Sequence, residues 1–330
     1  MEHEQGTVYV DESNLEVELS TKPPSMLALF WKEVRHDYFA LVSLFLLIII
    51  FLGIYIGAPI INRNMDVMSM DIENRNISPQ GFQRRLEWDF VAFQVTMQHV
   101  DREMPTLLGT DSVGRQVAPL VVVAARNSLN ISLAVLVLSF TIGLVVGLIA
   151  GYYGGHTDNI IMRVTDTVSM MPFLMVTIVL ITMFPRTLFW FILLLTMFTW
   201  MGRVRLIRSV ALQQCNLDYI AASKTLGTRN IVIIFREMLP NMVDVVVANF
   251  VITFAAFIGM ETGLTILGFG LGIDTPSLGA LINNALEPVN LQNYWWTWAP
   301  AIVLVVTIML CINFVGNALQ RVADPKQRLV

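Results

Sequence analysis

The chain has 330 residues, of which 55% are hydrophobic and 14% are charged, and its formal net charge is −4. A soluble domain of this length needs more charge on its surface, so the composition excludes a water-soluble globular protein and indicates lipid as the solvent. The two cysteines and four histidines are scattered along the chain, which argues against a disulfide framework and against a metal centre.

The amino-terminal segment is acidic and lacks the apolar core of a signal peptide. We expect residues 1–38 to form a cytoplasmic tail that is disordered at its acidic start. The first apolar run, residues 39–61, then remains in the protein as a transmembrane anchor.

Six apolar runs reach or approach the ~20 residues that a helix needs to cross a bilayer. They lie at residues 39–61, 127–155, 167–185, 187–202, 242–260 and 299–319. The predicted fold is therefore an all-α integral membrane protein with six transmembrane helices. Beyond the first helix, this divides the chain into a loop at 62–123, a membrane core at 124–319 and a tail at 320–330.

The positions of Lys and Arg predict the orientation of these helices. The segment between the fourth and fifth runs carries six of them, at Arg203, Arg205, Arg208, Lys224, Arg229 and Arg236. The segment 261–298 carries none, and cationic loops of this length stay in the cytoplasm. We expect a multi-pass protein of the cell membrane with both termini and the 320–330 tail in the cytoplasm. The loop 62–123 is then extracytoplasmic, since loops beyond ~60 residues cross largely regardless of charge.

The acidic residues near the membrane fall at the ends of the apolar runs, where we expect water to reach them. They are Asp158, Asp166, Asp244 and Glu261. An ion-coupled carrier normally needs a buried ionisable group, and none is predicted here. The chain also lacks the GxxxxGK[ST], HExxH and GxSxG motifs, so we predict no catalytic residue and no enzyme activity. A transporter built on this chain would take its energy from another chain.

Residues 216–240 contain the signals of two short helices. Asn216 or Asp218 can cap a helix through Leu226, and Gly227 suits the left-handed residue that ends one. Thr228 can cap the second helix, and Pro240 suits the start of the fifth span.

The first of these two helices has a face with little side-chain bulk, formed by Ala221, Ala222 and Ser223. The same segment contains apolar residues such as Leu226 and Ile231, which are unfavourable on the surface of a free cytoplasmic loop and therefore indicate that something covers them. Two interpretations fit this pattern equally. The segment is either a rigid knob for a partner protein's groove or an amphipathic hairpin on the inner leaflet.

The same segment resembles the EAA coupling loop of ABC importer permeases, specifically the C-type permease of the dipeptide, oligopeptide and nickel family. The matching residues are Asp218, Tyr219, Ile220, Ala222, Ser223, Lys224, Leu226, Gly227, Leu239, Pro240 and Asn241. Ala221 stands where many members of the superfamily have glutamate, and Glu237 where peptide permeases usually have histidine. Further segments resemble the family in the same order, at residues 109–115, 126–129, 154–172, 261–279 and 295–325. The resemblance covers residues 27–60 and 105–328.

The resemblance implies a type I ABC importer (MetI-like) permease fold. It also implies that this chain forms, with a homologous permease, a path for oligopeptide uptake across the lipid bilayer. Two cytoplasmic ABC ATPases would bind ATP and Mg²⁺, and an extracytoplasmic peptide-binding protein would deliver the peptide. No cofactor in this chain and no nucleic-acid partner are implied.

The residues expected to couple the permease to the ATPases follow from the same motif. They are Asp218, Tyr219, Ala221, Ala222, Ser223, Lys224, Leu226, Gly227, Glu237 and Pro240. Substrate-binding residues are not predicted. The alternatives are a dipeptide, nickel or other solute permease of the same class, a secondary carrier or channel, and a membrane scaffold without a path of its own.

Overall fold

The structure, a computed structural model, describes residues 26–64, 75–79, 86–89, 94–97, 108–272 and 275–323. Its α-helices are α1 (Met26–His36), α2 (Tyr38–Asn64), α3 (Val117–Tyr153), α4 (Gly155–Ser169), α5 (Phe173–Met183), α6 (Leu188–Cys215), α7 (Asp218–Thr225), α8 (Asn230–Val232), α9 (Leu239–Leu264), α10 (Leu278–Asn283), α11 (Pro288–Asn293) and α12 (Ala299–Ala323). Two π-helical segments, Ile233–Met238 and Thr265–Phe269, flank α9 and join it without a break. Two antiparallel strands, β1 (Leu86–Asp89) and β2 (Gln94–Met97), form a hairpin.

Five helical stretches are long and apolar enough to cross a membrane, and a bent pair of helices makes a sixth. The five are Tyr38–Ile61, Val117–Tyr153, Leu188–Cys215, Asn230–Phe269 and Ala299–Ala323. Helix α3 lies at the centre of the bundle, where it contacts α2, α6, α9 and α12. The predicted all-α membrane fold with six spans is thus confirmed.

Several predicted span boundaries are wrong. The second span begins at Val117 rather than at residue 127, so that the helix takes up the end of the predicted 62–123 loop. The last helix continues to Ala323, into the predicted 320–330 tail. The acidic start of the predicted 1–38 tail lies outside the described residues.

The third span is bent rather than straight. Helices α4 and α5 meet at an angle of 76° across a break at residues 170–172, where Pro172 immediately precedes α5. Helix α4 is amphipathic and packs against α6, whereas α5 is apolar throughout. The predicted straight span at 167–185 is therefore wrong, and the proline explains the break because it cannot donate a helical hydrogen bond.

The fourth span is much longer than predicted, since α6 continues past residue 202 to Cys215. It packs along α3 through a seam of three glycines, Gly143, Gly147 and Gly151. A Cβ atom at Gly147 would lie 2.8 Å from Cβ of Ile207, and one at Gly151 would lie 3.0 Å from a backbone carbonyl of α6. Small residues at this spacing let two membrane helices approach closely, and here the two backbones are nearly in contact.

Salt bridges of Arg321 connect α12 to α1 and to the start of α2. Asp37 caps α2 by accepting hydrogen bonds from the backbone N–H groups of Phe39 and Ala40, at 3.0 and 3.3 Å. The guanidinium of Arg321 on α12 donates to Glu33 at 2.8 Å and to Asp37 at 2.5 Å. Burial alone would raise the pKa of Asp37, but these hydrogen bonds and the charge of Arg321 outweigh it, so the pKa is lowered.

Candidate functional site

Helix α7 has one side chain in the apolar core of the bundle. Ile220 is fully buried, and it belongs to an apolar cluster formed by α3, α6 and α9 with the preceding π-helical segment. The other members of this cluster are Leu148, Tyr152, Ile207, Ala211, Ile233, Ile234, Met238 and Met242. Ile220 therefore links α7 to a cluster that it shares with three of the long helices.

The opposite face of α7 is exposed and carries small side chains. Ala221 and Ala222 are both exposed, and Leu226 at the end of the helix is 84% exposed. Ser223 is half-buried, while Asp218 and Lys224 are exposed.

The end of α7 is built from backbone hydrogen bonds. Gly227 has a φ of +77°, as the left-handed residue of a helix end requires. Its N–H donates to the carbonyl of Lys224 at 3.1 Å, and the N–H of Thr228 donates to the carbonyl of Ser223 at 3.1 Å. These two bonds define a Schellman motif, and the predicted role of Gly227 is confirmed.

The predicted side-chain caps are wrong. Helix α7 begins after Leu217, whose side chain makes no cap, and Asp218 is already the first helical residue. Asn216 donates instead to the carbonyl of Leu212, at the end of the preceding helix, at 3.0 Å. The second helix begins after Arg229 rather than after Thr228.

Two tyrosines hold the segment against the bundle. The hydroxyl of Tyr219 donates to Oε1 of Gln214 at 2.7 Å, and burial raises the pKa of this tyrosine, which keeps the phenol neutral. The ammonium of Lys224 lies 4.9 Å from the centre of the Tyr152 ring, and the Tyr152 hydroxyl donates to Oδ1 of Asn230 at 2.9 Å. Tyr152 therefore contacts both α7 and the start of the next helix.

Glu237 and Pro240 lie apart from the exposed face of α7. Glu237 is half-buried in the π-helical segment, and its Oε2 has no hydrogen-bond partner within the part of the chain that is described. Pro240 is in the first turn of α9, but the helical stretch of the fifth span already begins at Asn230, so the prediction that Pro240 starts this span is wrong. The structure thus brings together eight of the ten predicted coupling residues and places these two on the following helix.

The arginines of the fourth span lie inside α6 instead of in a cytoplasmic loop, because the helix extends to Cys215. Arg205 donates to Asp166 at 3.0 Å, and Arg208 donates to Asp158 through two nitrogens. The helix accommodates these cations because α4 supplies the opposite charges.

Glu261 is not at a water-accessible span end, so the expectation for this residue is wrong. It is 1% exposed within α9. Its carboxylate accepts hydrogen bonds from the hydroxyl groups of Thr262 and Thr265 at 3.4 and 3.2 Å, and those of Ser128 and Ser277 complete its surroundings. These four hydroxyls come from α3, α9, the π-helical segment after α9 and the segment before α10, and only the fold brings them together.

The close packing at the glycine seam of α3 is not among the predicted features, although the sequence contains its pattern. Gly143, Gly147 and Gly151 recur every four residues within an apolar run, which is the small-residue pattern of closely packed membrane helices.

A family model described as "Binding-protein-dependent transport system inner membrane component" matches residues 143–329 of the chain. The chain is 38% identical over 297 residues to the oligopeptide transport system permease protein OppC of Lactococcus lactis subsp. cremoris (strain SK11), covering 90% of this chain and 93% of the relative. It is 31% identical over 320 residues to the dipeptide transport system permease protein DppC of Bacillus subtilis (strain 168), covering 96% and 91%.

A solved structure shares the fold at lower identity. It is a chain of the MetNI methionine ABC transporter in an inward-facing conformation, with a TM-score of 0.50 and 19% identity. The match covers 62% of this chain and 96% of the solved chain, and it shows the MetI-like fold alone.

Proposed function

Because the chain belongs to the family of binding-protein-dependent transport system inner membrane components, we propose that it is a permease subunit of an ATP-binding-cassette importer for oligopeptides. The observation that carries the proposal is the construction of α7. One side of this short helix is anchored in the core by Ile220, and the other presents Ala221, Ala222 and Leu226 to a partner. A rigid helix with this exposed face fits the groove of another protein.

The proposed partner at α7 is a cytoplasmic ATPase. When a pair of ATPases closes around ATP and Mg²⁺, each ATPase would displace the α7 that it holds. Ile220 belongs to one apolar cluster with residues of α3, α6 and α9, so this displacement would change how the spans pack and would switch the path between its two sides. This chain itself takes no part in ATP hydrolysis and holds no cofactor.

The remaining partners follow from the same proposal. A homologous permease supplies the other wall of the path, and an extracytoplasmic peptide-binding protein delivers the peptide. Both termini and the segment 216–240 face the cytoplasm, in keeping with the basic residues near them.

The side chains exposed on α7 favour a protein partner over the membrane surface. A hairpin that lies on the inner leaflet buries a broad apolar face in lipid. Within α7 itself, the exposed residues are alanines, Thr225 and the charged residues Asp218 and Lys224, and Ile220 is buried in the protein. The exposed large apolar side chain beside this face is Leu226, just past the end of the helix. We therefore assign the segment to a protein groove.

Dipeptide uptake is the second candidate function, because the dipeptide permease of Bacillus subtilis aligns with 96% of the chain. Uptake of labelled peptides of two to six residues by the assembled complex separates the two. Oligopeptide import predicts that peptides longer than two residues compete with one another for uptake, whereas a dipeptide importer would exclude them.

Cysteine labelling in membrane vesicles tests the orientation and the partner together. Leu226→Cys lies at one end of the bundle and Arg186→Cys, also on an exposed residue, at the other. The unsubstituted protein is the background control, because Cys311 is buried and Cys215 is half-buried.

We expect a membrane-impermeant maleimide to label Leu226→Cys only in inside-out vesicles and Arg186→Cys only in right-side-out vesicles. Assembly with the ATPases should protect Leu226→Cys from labelling and leave Arg186→Cys unprotected. Labelling of Leu226→Cys from the outside of intact cells would overturn the proposed function.

A further inference from the structure

Three arginines lie on the second half of α6, and they differ in whether a carboxylate pairs with them. Arg205 is paired with Asp166, and Arg208 is paired with Asp158, both acids being on α4. Arg203 forms no ion pair with any carboxylate in the described ranges. Its charge is therefore not compensated in the way that its two neighbours' charges are.

The guanidinium of Arg203 lies among α3, α6 and α9. Its Nη1 donates to the hydroxyl of Thr253. Its central carbon lies 5.5 Å from the ring centre of Phe140 and 5.9 Å from that of Phe257, so the two rings fix the cation in place. Its Nε is buried and finds no acceptor among the residues placed by the structure. Gly143 packs directly against its Cβ, which leaves the side chain only this direction.

Helix α6 is long and apolar enough to cross a membrane. At ~1.5 Å per residue, Arg203 is about 22 Å along the helix axis from Leu188, the first residue of α6, which is less than the thickness of a hydrocarbon core of about 30 Å. An ionisable residue at such a depth faces the interior of a bundle or a water-filled path, and it marks a functional site. Arg203 as a whole is only partly buried.

Resting on the proposed function, we propose that Arg203 binds the terminal carboxylate of the peptide as it passes through the membrane. A carboxylate is the partner that a planar guanidinium binds through two parallel hydrogen bonds. Every linear peptide carries a terminal carboxylate whatever its side chains are. One fixed cation between two apolar rings thus recognises peptides as a class without selecting their sequences.

The depth of Arg203 separates this ligand from the phosphate of a lipid. Lipid head groups lie outside the hydrocarbon core, whereas the guanidinium lies within it. A carboxylate of the homologous permease is the remaining alternative, and the experiment below distinguishes it from the peptide.

The test compares two peptides of the same sequence, one with a free terminal carboxylate and one with a terminal amide. The complete complex is reconstituted in liposomes with its peptide-binding protein, and uptake is measured after the affinity of that protein for each peptide has been determined. Four permeases are compared, namely the unsubstituted chain, Arg203→Gln, Arg203→Lys and the control Arg205→Gln. The control removes a neighbouring arginine of the same helix whose partner is Asp166.

We expect Arg203→Gln to reduce uptake of the free-acid peptide about 10-fold more than uptake of the amide, as the loss of one charge-assisted hydrogen bond does. Arg203→Lys keeps the charge but not the paired geometry and should show a smaller difference. Arg205→Gln should affect both peptides equally.

An equal effect of Arg203→Gln on the two peptides, or no effect on either, would overturn the assignment. If Arg203→Gln prevents assembly of the complex, Arg203→Lys decides the outcome. Equal uptake of the two peptides by an assembled Arg203→Lys complex would indicate that Arg203 pairs with the second permease rather than with the peptide. A failure of the unsubstituted complex to import either peptide would instead count against the proposed function.

Discussion

The ammonium of Lys224 lies 4.9 Å from the centre of the Tyr152 ring, and this pair joins the exposed helix α7 to the long central helix α3. The hydroxyl of the same tyrosine donates to Asn230 at 2.9 Å, at the start of the helical stretch that becomes the fifth span. Tyr152 therefore connects α7 to two spans at once. It supplements the apolar anchor at Ile220.

Substitutions of Tyr152 should reduce the peptide transported per ATP hydrolysed in proportion to the contacts removed. Tyr152→Phe keeps the ring and loses the hydrogen bond, which contributes about 1 kcal/mol. Tyr152→Leu also loses the cation–π contact, which contributes about 0.5–2 kcal/mol. We expect a small loss for the phenylalanine variant and a clear loss for the leucine variant. The same amount of peptide transported per ATP by Tyr152→Leu and by the unsubstituted protein would contradict the role of this contact.

Ile220 and Leu226 should separate anchoring from docking. Ile220→Ala opens a cavity at a fully buried position and should destabilise the permease by about 2–5 kcal/mol, measured by thermal unfolding in detergent. Leu226→Ala, at a position 84% exposed, should change that stability by no more than about 0.5 kcal/mol. The same Leu226→Ala variant should bind the ATPases more weakly in a pull-down. Unimpaired ATPase binding would exclude Leu226 from the docking surface.

The glycine seam predicts a contrast between two glycine-to-alanine substitutions. A methyl group at Gly147 would meet Cβ of Ile207 at 2.8 Å and the carbonyl of Val204 at 2.9 Å, so Gly147→Ala should destabilise the bundle by about 1–3 kcal/mol. Gly53 on α2 has no atom within 4 Å of the added methyl, so Gly53→Ala should be neutral or slightly stabilising. Thermal unfolding of both variants in detergent checks this, and equal effects would contradict the close packing of α3 and α6.

The attachment of α1 to α12 should weaken in acid. The pKa of Asp37 is lowered in the folded protein, so its stabilising contribution is present above its unfolded value of 3.8 and is lost as the pH falls through the folded value. Because the folded pKa of Asp37 lies below 3.8, we expect Arg321 to lose this partner only at a pH below that value. The fluorescence of Trp31 on α1, recorded from pH 7 to pH 3, should change in the unsubstituted protein and change less in Asp37→Asn. Identical titrations would contradict the ion pair.

The parts of the fold that the sequence predicts are those with local causes. Gly227 takes a positive φ because a helix end requires one. The predicted cap at Thr228 is wrong because this residue completes the end of α7, and the first backbone bonds of the next helix go to the carbonyl of Arg229.

The parts that could not be predicted depend on partners far along the chain. Arg208 stays within α6 because Asp158 lies beside it, and α4 meets α6 only in the folded bundle. Glu261 is buried because Ser128 and Ser277 reach its carboxylate from elsewhere in the sequence. Charge counting along the chain places such residues in water, since it does not see the groups that neutralise or solvate them inside the protein.

Peptide-stimulated ATP hydrolysis by the reconstituted complex tests most directly whether α7 couples the spans to the ATPases. Gly227→Pro cannot adopt a φ of +77° and removes the N–H that bonds to Lys224, so the end of α7 must change course, whereas Gly227→Asn tolerates the left-handed conformation. We expect both variants to insert into the membrane, Gly227→Asn to retain most of the stimulation and Gly227→Pro to lose it. Normal stimulation in the Gly227→Pro complex would contradict the coupling role of α7.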